Sequence, residues 1–390
     1  MPREAIRIVH TADVHLDAAF KLSGRKGDRK RQAIRNTFKR IVNDCLEWPA
    51  HVFIIAGDLF EEERVARDTM GFLAREFERL AAKNVPVLIA PGNHDPFTAG
   101  GRYAVTAWPK NVHVFTRASS DVLNFPALNL AVYGVAHTST HTEGRLAQAV
   151  KAVKKGAETA VLVAHASDES ASYTGKEAGD VWLPFKRDEL AALGHDYAAL
   201  GHFHRAGTIE HGGRVVAAYS GAPEGLNFGE TGKRQYLRVT LGADGAHVEP
   251  RGVSEIDFLA FDVACDSFRT REEFFDAVAK LVQKNAGEVI ALVNAKGRVS
   301  PGFEISGDLP DDVRGRFFEI DVRDETVPAY DWEALEKEET VRGEVARRFA
   351  AEMKAAGEAS RAVLEKARLY AMDALEGRKI ELPSEVLRVD

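Results

Sequence analysis

Apolar residues recur along the front of the chain at two alternating periods. Residues 5–9 form a short β-prone run, and residues 27–47 then carry Ile34, Phe38, Ile41, Val42 and Cys45 at steps of three and four, the stripe of an amphipathic helix. Residues 51–56 return to a β-forming run, 64–83 are helical in spacing, and 85–90 predict a third strand. The order β-α-β-α-β is that of a sheet with parallel crossovers. Beyond residue 112 the texture changes. Short β segments at 112–115, 122–125 and 128–135 are split by turn residues such as Asn124 and Pro126, and a helix is expected near 145–156. Further strands are predicted at 160–164, 197–200, 215–219, 236–241 and 247–253, with Gly-rich turns between them. Two stacked sheets flanked by helices accommodate this mixture.

Near residues 252–257 this first domain closes. Residues 258–328 read as a compact β-α-β-β unit, with strands at 258–264, 289–295 and 317–322 and a helix at 271–285. The chain then becomes rich in Ala, Glu, Lys and Arg with helical spacing, as in Val345, Phe349 and Met353 and again in Leu364, Leu369, Met372 and Leu375, with Gly357 dividing two helices. Three domains are expected, over residues 1–255, 256–330 and 331–390.

Composition narrows the class without choosing a function. With 390 residues, 45% hydrophobic and 28% charged, the chain is that of a globular protein too long for a single core. No stretch approaches the roughly 18 apolar residues that a membrane span needs, and no apolar segment follows the N-terminus, so a cytoplasmic protein is expected. Cys45 and Cys265 fall in apolar-periodic segments and read as buried thiols. The net charge of -7 argues against a protein that coats nucleic acid along its whole surface. Locally, Lys21, Arg25, Lys26, Arg29, Lys30, Arg31, Arg35, Lys39 and Arg40 are joined by one acid, Asp28, a run that reads either as a positive face or as an ordinary solvated helix face.

Chemistry gathers where strands end. Asp13-Val14-His15, Gly57-Asp58, Gly92-Asn93-His94-Asp95, His165 and Gly201-His202-Phe203-His204 almost all follow β-forming runs, the place where an open α/β sheet builds its sites. A lone histidine after a strand is ordinarily a hydrogen-bonded core or surface residue. Five clusters of the right chemistry in this order are the outline of a two-metal centre, in which two ions roughly 3.5–4 Å apart share a carboxylate and a water. Asp58 suits the bridging role, having one oxygen for each ion. Asp13 and His15, two apart in a chain read as still extended, can reach one ion, and His202 and His204 share that spacing. Asn93 adds a neutral amide oxygen, and His165 completes the set. Donors of nitrogen and oxygen without thiolate favour manganese, iron or zinc. His94, beside a ligand but not one itself, suits transition-state stabilisation and protonation of a leaving oxygen. Glu61 is a candidate to orient His94 and favour its protonation. The remaining histidines, among them His10, His51, His113, His137, His141, His195, His211 and His247, have no such setting.

These motifs resemble the calcineurin-like metallophosphoesterase superfamily, whose pattern is D-x-H, G-D, G-N-H-D/E, H and G-H-x-H, over about residues 5 to 250. Within it the chain is similar to SbcD/YhaO-type DNA double-strand-break repair nucleases, relatives of the meiotic-recombination nuclease of archaea and eukaryotes. The more specific signals are His10-Thr11-Ala12-Asp13-Val14-His15-Leu16-Asp17, Ala56-Gly57-Asp58-Leu59-Phe60, Pro91-Gly92-Asn93-His94-Asp95, Tyr219-Ser220-Gly221-Ala222-Pro223-Glu224 and the late Ala374-Leu375-Glu376-Gly377-Arg378. The resemblance implies a four-layer α-β-β-α sandwich with a small α+β capping domain and C-terminal helices. It implies one ion on Asp13, His15, Asp58 and His204 and another on Asp58, Asn93, His165 and His202, with His94 as the acid. It further implies manganese, a homodimer through helices at about 27–47 and 64–83, and an SbcC-like coiled-coil ABC-type ATPase bound by about 340–377. Archaeal and eukaryotic relatives carry His directly after Gly-Asp-Leu-Phe, where this chain has Glu61, so the balance of exonuclease and endonuclease activity stays open.

The leading expectation is therefore a metal-dependent nuclease that hydrolyses phosphodiester bonds at DNA ends, with the capping residues helping to position the duplex. One alternative keeps the metal site and changes the substrate to a small phosphodiester such as a cyclic nucleotide; the basic run and the added C-terminal domains favour DNA. Another is a non-catalytic scaffold with a phosphoesterase fold, whose mark would be a missing ligand, and none is missing.

Overall fold

The structure is a computed structural model that describes residues 5–20, 22, 25–62, 65–139, 144–153, 159–170, 181–282, 288–303, 305 and 308–377. Lys21, His141, Arg378 and the C-terminal ends of the helices expected at 145–156 and 271–285 lie outside these residues.

Strands β1 (Ile6–Thr11), β2 (Val52–Ile55), β3 (Val87–Ile89) and β4 (Val112–Val114) run parallel, β1 and β2 joined by helix α1 (Lys26–Glu47) and β2 and β3 by helix α2 (Arg67–Ala81). A second sheet takes β5 (Asp121–Phe125), β6 (Leu130–Gly134), β7 (Thr159–His165), β8 (Tyr197–Gly201), β9 (Gly207–His211) and β10 (Arg214–Tyr219) in the order β5-β6-β7-β8-β10-β9. The chain then returns to the first sheet through β11 (Gln235–Gly242) and β12 (Gly245–Gly252), where β11 pairs antiparallel with β1 and sets Val239 opposite Ile8.

Side-chain alternation turns these strands into layers. On β1, β2 and β3, Val9, Phe53, Ile55, Val87 and Ile89 face Ile34, Phe38, Ile41, Leu73 and Phe77 of the two helices. Their neighbours Ile8, Val52, Ile54 and Leu88 face the other sheet, against Val132, Val161, Val163 and Ala199. The far side of that second sheet, with Leu162, Ala164, Ala198 and Leu200, is covered by Leu146, Phe185 and Leu190. The result is the α-β-β-α sandwich.

By internal contacts the chain divides into two compact units, one of Met1–Ala260, Asn285–Leu292 and Phe317–Ile320 and the other of Phe261–Lys284, Val293–Arg316 and Asp321–Asp390. The later strands Asp257–Ala264, Val289–Val299 and Glu319–Pro328 form a three-stranded sheet in chain order. In the second unit, helix Arg271–Lys280 begins with a Thr270 and Glu273 capping box. Helices Val341–Ala355 and Glu358–Leu375 meet around Ala346 and Met372, and Gly357 caps the start of the later one. No described helix is long and apolar enough to cross a membrane.

Several elements differ from the expectation, the unpredicted short helix Arg187–Ala192 among them. The helix expected at 145–156 is a single turn, Leu146–Ala149, among the described residues. Strand β9 was not predicted: only Ile209 of its five residues is buried, so it carries no apolar run. Gly212 and Gly213, both at positive φ, turn it into β10 as a hairpin.

Candidate metal centre

Parallel strands place their C-terminal ends on one edge of a sheet, and the five motifs sit at such ends. Asp13 and His15 follow β1, Asp58 follows β2, Asn93 and His94 follow β3, His165 is the last residue of β7, and His202 and His204 follow β8. Loop backbone rather than strand geometry aims the first pair. Asp13 and His15 have φ of 52° and 49°, so the chain is left-handed there and not extended as the sequence suggested. Main-chain bonds hold that turn against the next motif, Asp13 N donating to Gly57 O at 3.0 Å and His15 N to Asp58 O at 3.0 Å. His202, at φ 104°, also leaves the extended region. Close approach demands the flanking glycines. A Cβ on Gly57 would lie 2.1 Å from His165 Nδ1, and one on Gly92 would lie 2.1 Å from Asp58 Oδ1.

The predicted residues converge. Asp58 Oδ2 lies 3.2 Å from His165 Nε2 and 3.8 Å from His15 Nε2, which places one carboxylate between two groups of donors. His15 Nε2 and His204 Nε2 are 3.1 Å apart, and His165 Nε2 is 3.0 Å from Asn93 Oδ1. Asp13 with His15 and His204, and Asp13 with Asp58 and His165, each bring their ligand atoms within 4.8 Å of one another. The His202 ring stacks edge-on against that of His165 at 5.3 Å, and its backbone N–H donates to Asp13 Oδ1 at 3.0 Å. Asp13, His15, Asp58 and His165 are all at most 2% exposed.

So many buried acceptors in one place call for positive charge. Burial works against a charged Asp58, yet the charge and hydrogen bond of His165 hold its carboxyl well below the usual range. Burial likewise opposes an imidazolium at His165, but Asp58 and Asp13 outweigh it and raise His165 to about 9. Asp13 is pushed up chiefly by burial. Its imidazole and carboxylate donors fit divalent cations.

His94 is exposed at the rim, its ring edge-on to His15 at 4.9 Å. Its Nδ1 donates to the carbonyl of Glu61 at 3.1 Å, and its backbone N–H donates to Asp58 Oδ1 at 3.0 Å. The Glu61 carboxylate stands near both His15 and His94: its Oε2 lies 2.8 Å from His15 Nδ1, the ligand atoms of the three residues all lie within 4.8 Å of one another, and the hydrogen bond to His94 comes from the Glu61 main chain. Burial opposes ionisation of Glu61, but the His15 contact prevails and lowers it below the ordinary carboxylate value.

Three further residues escaped the sequence reading. Glu230 accepts from His204 Nδ1 at 2.9 Å, and no motif announces it. Asp95 joins two ligand loops, accepting from Gly92 N at 2.7 Å and Phe60 N at 3.1 Å; its place in the Gly-Asn-His-Asp motif was the available signal. His137 was given no role, yet its Nε2 donates to the His165 carbonyl at 2.7 Å.

Much of the basic run is paired within the chain. Lys26 pairs with Glu319, Lys30 with Glu224, Arg31 with Asp28, Arg35 with Asp17 and Asp68, and Arg40 with Glu255. Arg29 lies over the Phe318 ring. These cations serve the fold around α1.

The chain matches the family model of calcineurin-like phosphoesterases over residues 6–206. It is 25% identical over 240 residues to an uncharacterized metallophosphoesterase, YhaO, of Bacillus subtilis, covering 60% of this chain and 57% of that one. It is 23% identical over 368 residues to the DNA double-strand break repair protein Mre11 of Methanopyrus kandleri, covering 87% of this chain and 78% of that one. To the Mre11 of Haloferax volcanii it is 28% identical, covering 73% and 62%. The chain thus spans about three-fifths of the length of two of these relatives. Among solved structures it is similar to a dimetal phosphatase from Danio rerio, at 13% identity, a TM-score of 0.39 and 65% of this chain.

Proposed function

Because this chain belongs to the calcineurin-like phosphoesterase family, we propose that it is a metal-dependent DNA nuclease that hydrolyses phosphodiester bonds at or near duplex ends. The observation that carries the reading is the convergence of six further donor residues around Asp58. One cation position is assigned to Asp13, His15, Asp58 and His204, and the other to Asp58, Asn93, His165 and His202. A set of oxygen and imidazole donors without thiolate suits Mn2+. Two such cations, when bound, supply Lewis-acid activation of the phosphodiester and a water nucleophile at neutral pH.

The protein's own groups do the rest. Asp58 keeps both positions in one frame, and its Oδ1 fixes the loop that carries His94 through the His94 N–H. With Nδ1 committed to the Glu61 carbonyl, His94 has Nε2 left to hold a proton for the departing sugar oxygen. That proton leaves with the product, and solvent restores it at the exposed ring.

DNA as substrate is supported by relatives named for double-strand break repair, one of which matches 87% of this chain and therefore reaches well past residue 206. In this reading residues 256–330 help to position the duplex, residues 331–390 dock a coiled-coil ABC-type ATPase, and α1 and α2 carry a homodimer contact. A phosphodiesterase for small diesters is the second reading, favoured by one observation: much of the basic run is spent on internal ion pairs. The test offers the full chain with Mn2+ linear duplex DNA, single strands, cyclic nucleotides and bis(p-nitrophenyl) phosphate, beside Asp58→Asn. Duplex cleavage that the variant lacks is expected. Cleavage of the small diesters alone overturns DNA as substrate, and no cleavage of any of them leaves the scaffold.

A further inference from the structure

We infer that Glu61, His94 and the outward nitrogen of His15 form a third cation position at the rim of the centre, suited to Zn2+ and inhibitory when filled. The inference rests on the two-metal reading above in one respect, that His15 gives Nε2 to the inner pair, and it is independent of the substrate. Ligand atoms of His15, Glu61 and His94 all lie within 4.8 Å of one another, a set distinct from the two built on Asp13.

His15 faces both ways. Its Nε2 lies 3.1 Å from His204 Nε2, inside the centre, and its Nδ1 lies 2.8 Å from Glu61 Oε2. That Nδ1 is buried and makes no hydrogen bond, so the carboxylate oxygen stands off the N–H axis rather than in line with it. Two donors that each stand about 2.1 Å from one Zn2+, at about a right angle, are about 3 Å apart, and each aims at the ion and not at the other. The short, off-axis spacing of His15 Nδ1 and Glu61 Oε2 is of that kind.

The three donors are held by their own backbone. Leu16 N donates to Leu59 O at 2.9 Å and Glu61 N donates to Leu16 O at 3.1 Å, which laces the His15 and Glu61 loops together. His94 joins them through Nδ1, which donates to the Glu61 carbonyl at 3.1 Å, and through its ring, edge-on to His15 at 4.9 Å. His94 is exposed and the Glu61 side chain is 33% exposed, so a cation can enter from solvent.

Two imidazoles and a glutamate form a donor set that zinc sites use, and nitrogen donors favour Zn2+ over Mn2+. On binding, the cation forms bonds to Glu61, to a ring nitrogen of His94 and to His15 Nδ1. The proton of that Nδ1 is released to solvent, and His15 then bridges the rim ion and the inner one. The imidazolium of His94 carries a proton on each nitrogen and cannot form while one of them holds a cation. A filled rim therefore withdraws the proton donor from the departing oxygen.

Equilibrium dialysis of the metal-free full chain against Zn2+, with elemental analysis, counts the ions, and anomalous diffraction at the zinc edge locates them. The wild type is expected to hold a third equivalent, with a peak beside Glu61 and His94. Hydrolysis of bis(p-nitrophenyl) phosphate by the chain holding two equivalents is expected to fall as the third is added. Glu61→Gln and His94→Ala should each stop at two equivalents, whereas Glu62→Gln, a neighbouring acid, should still take the third. Two equivalents in the wild type, or a third that persists in either variant or lies away from Glu61, overturns the inference and leaves the inner pair standing. A third ion at Glu61 that does not slow hydrolysis overturns its inhibitory part. A wild type that binds no Zn2+ overturns the inference together with the two-metal reading, whereas a third ion bound as expected in a chain that cleaves no DNA upholds the position and removes only the nuclease.

Discussion

Two clusters of buried charge lie in the phosphoesterase sandwich, and they are built on opposite principles. At Lys30 and Glu224, both side chains 0% exposed, every strong donor finds an acceptor. Lys30 Nζ donates to Glu224 Oε1 at 2.6 Å and to Ile256 O at 2.9 Å, while Glu224 also accepts from Thr37 Oγ1 and from the backbones of Glu255 and Ile256. Burial lowers the Lys30 pKa and Glu224 works to restore it. At Asp58 the acceptors instead face one another, as with the paired Nε2 atoms of His15 and His204. A closed network tells of structure, and a convergence of like acceptors tells of a cation.

The contrast can be broken from either side. The largest effect is expected from Asp58→Asn, which should lower Mn2+-dependent diester hydrolysis about a thousandfold and abolish the rise in melting temperature on adding Mn2+; a calorimetric melt with and without the ion checks the second point. Lys30→Met should instead cost about 3–5 kcal/mol in urea unfolding, because Glu224 is left charged and unpaired. Its Mn2+ stoichiometry in the cold should not change, and a double replacement with Glu224→Leu should recover most of the loss. If Lys30→Met abolished metal binding in a folded protein, the two clusters would not be separable.

His94→Ala sharpens the distinction within the centre. It should lower kcat about a hundredfold or more and leave both Mn2+ affinities in place, since His94 acts on the substrate and not on the ions. The smallest effect concerns a third kind of buried group, imidazoles held neutral. Burial lowers His10 to about 3 and His195 to about 4. Their folded values lie below the unfolded one, so the stability they contribute is fully present above about pH 6.5 and is lost as pH falls toward the folded values. Each should add a slope of roughly 1.4 kcal/mol per pH unit, and unfolding of His195→Phe in EDTA should decline less steeply between pH 6.5 and 4 than that of the wild type.

Strand ends were readable because the signals are local. An apolar run followed by Gly-Asp or Gly-Asn-His-Asp states both the strand and the chemistry at its end, so the residues around Asp58 could be named from the sequence. What supports them was not readable in the same way. Glu230 reaches His204 from a loop 26 residues on, and its use depends on where that loop returns. Glu61 was linked to His94 but its nearer contact with His15 was missed, because sequence spacing does not report the left-handed turns at Asp13 and His15 that carry the His15 ring to it. The basic run stayed ambiguous for a related reason: composition counts cations but not the acids Glu224, Glu255 and Asp17 that reach them from elsewhere in the chain.

The central claim is that one carboxylate, Asp58, joins two cation positions. Anomalous diffraction at the manganese edge from crystals soaked in Mn2+ tests it most directly. Two peaks roughly 3.5–4 Å apart are predicted, one beside His15 and His204, the other beside Asn93, His165 and His202, with Asp58 contacting both. A single peak, or ions bound away from Asp58, would contradict it.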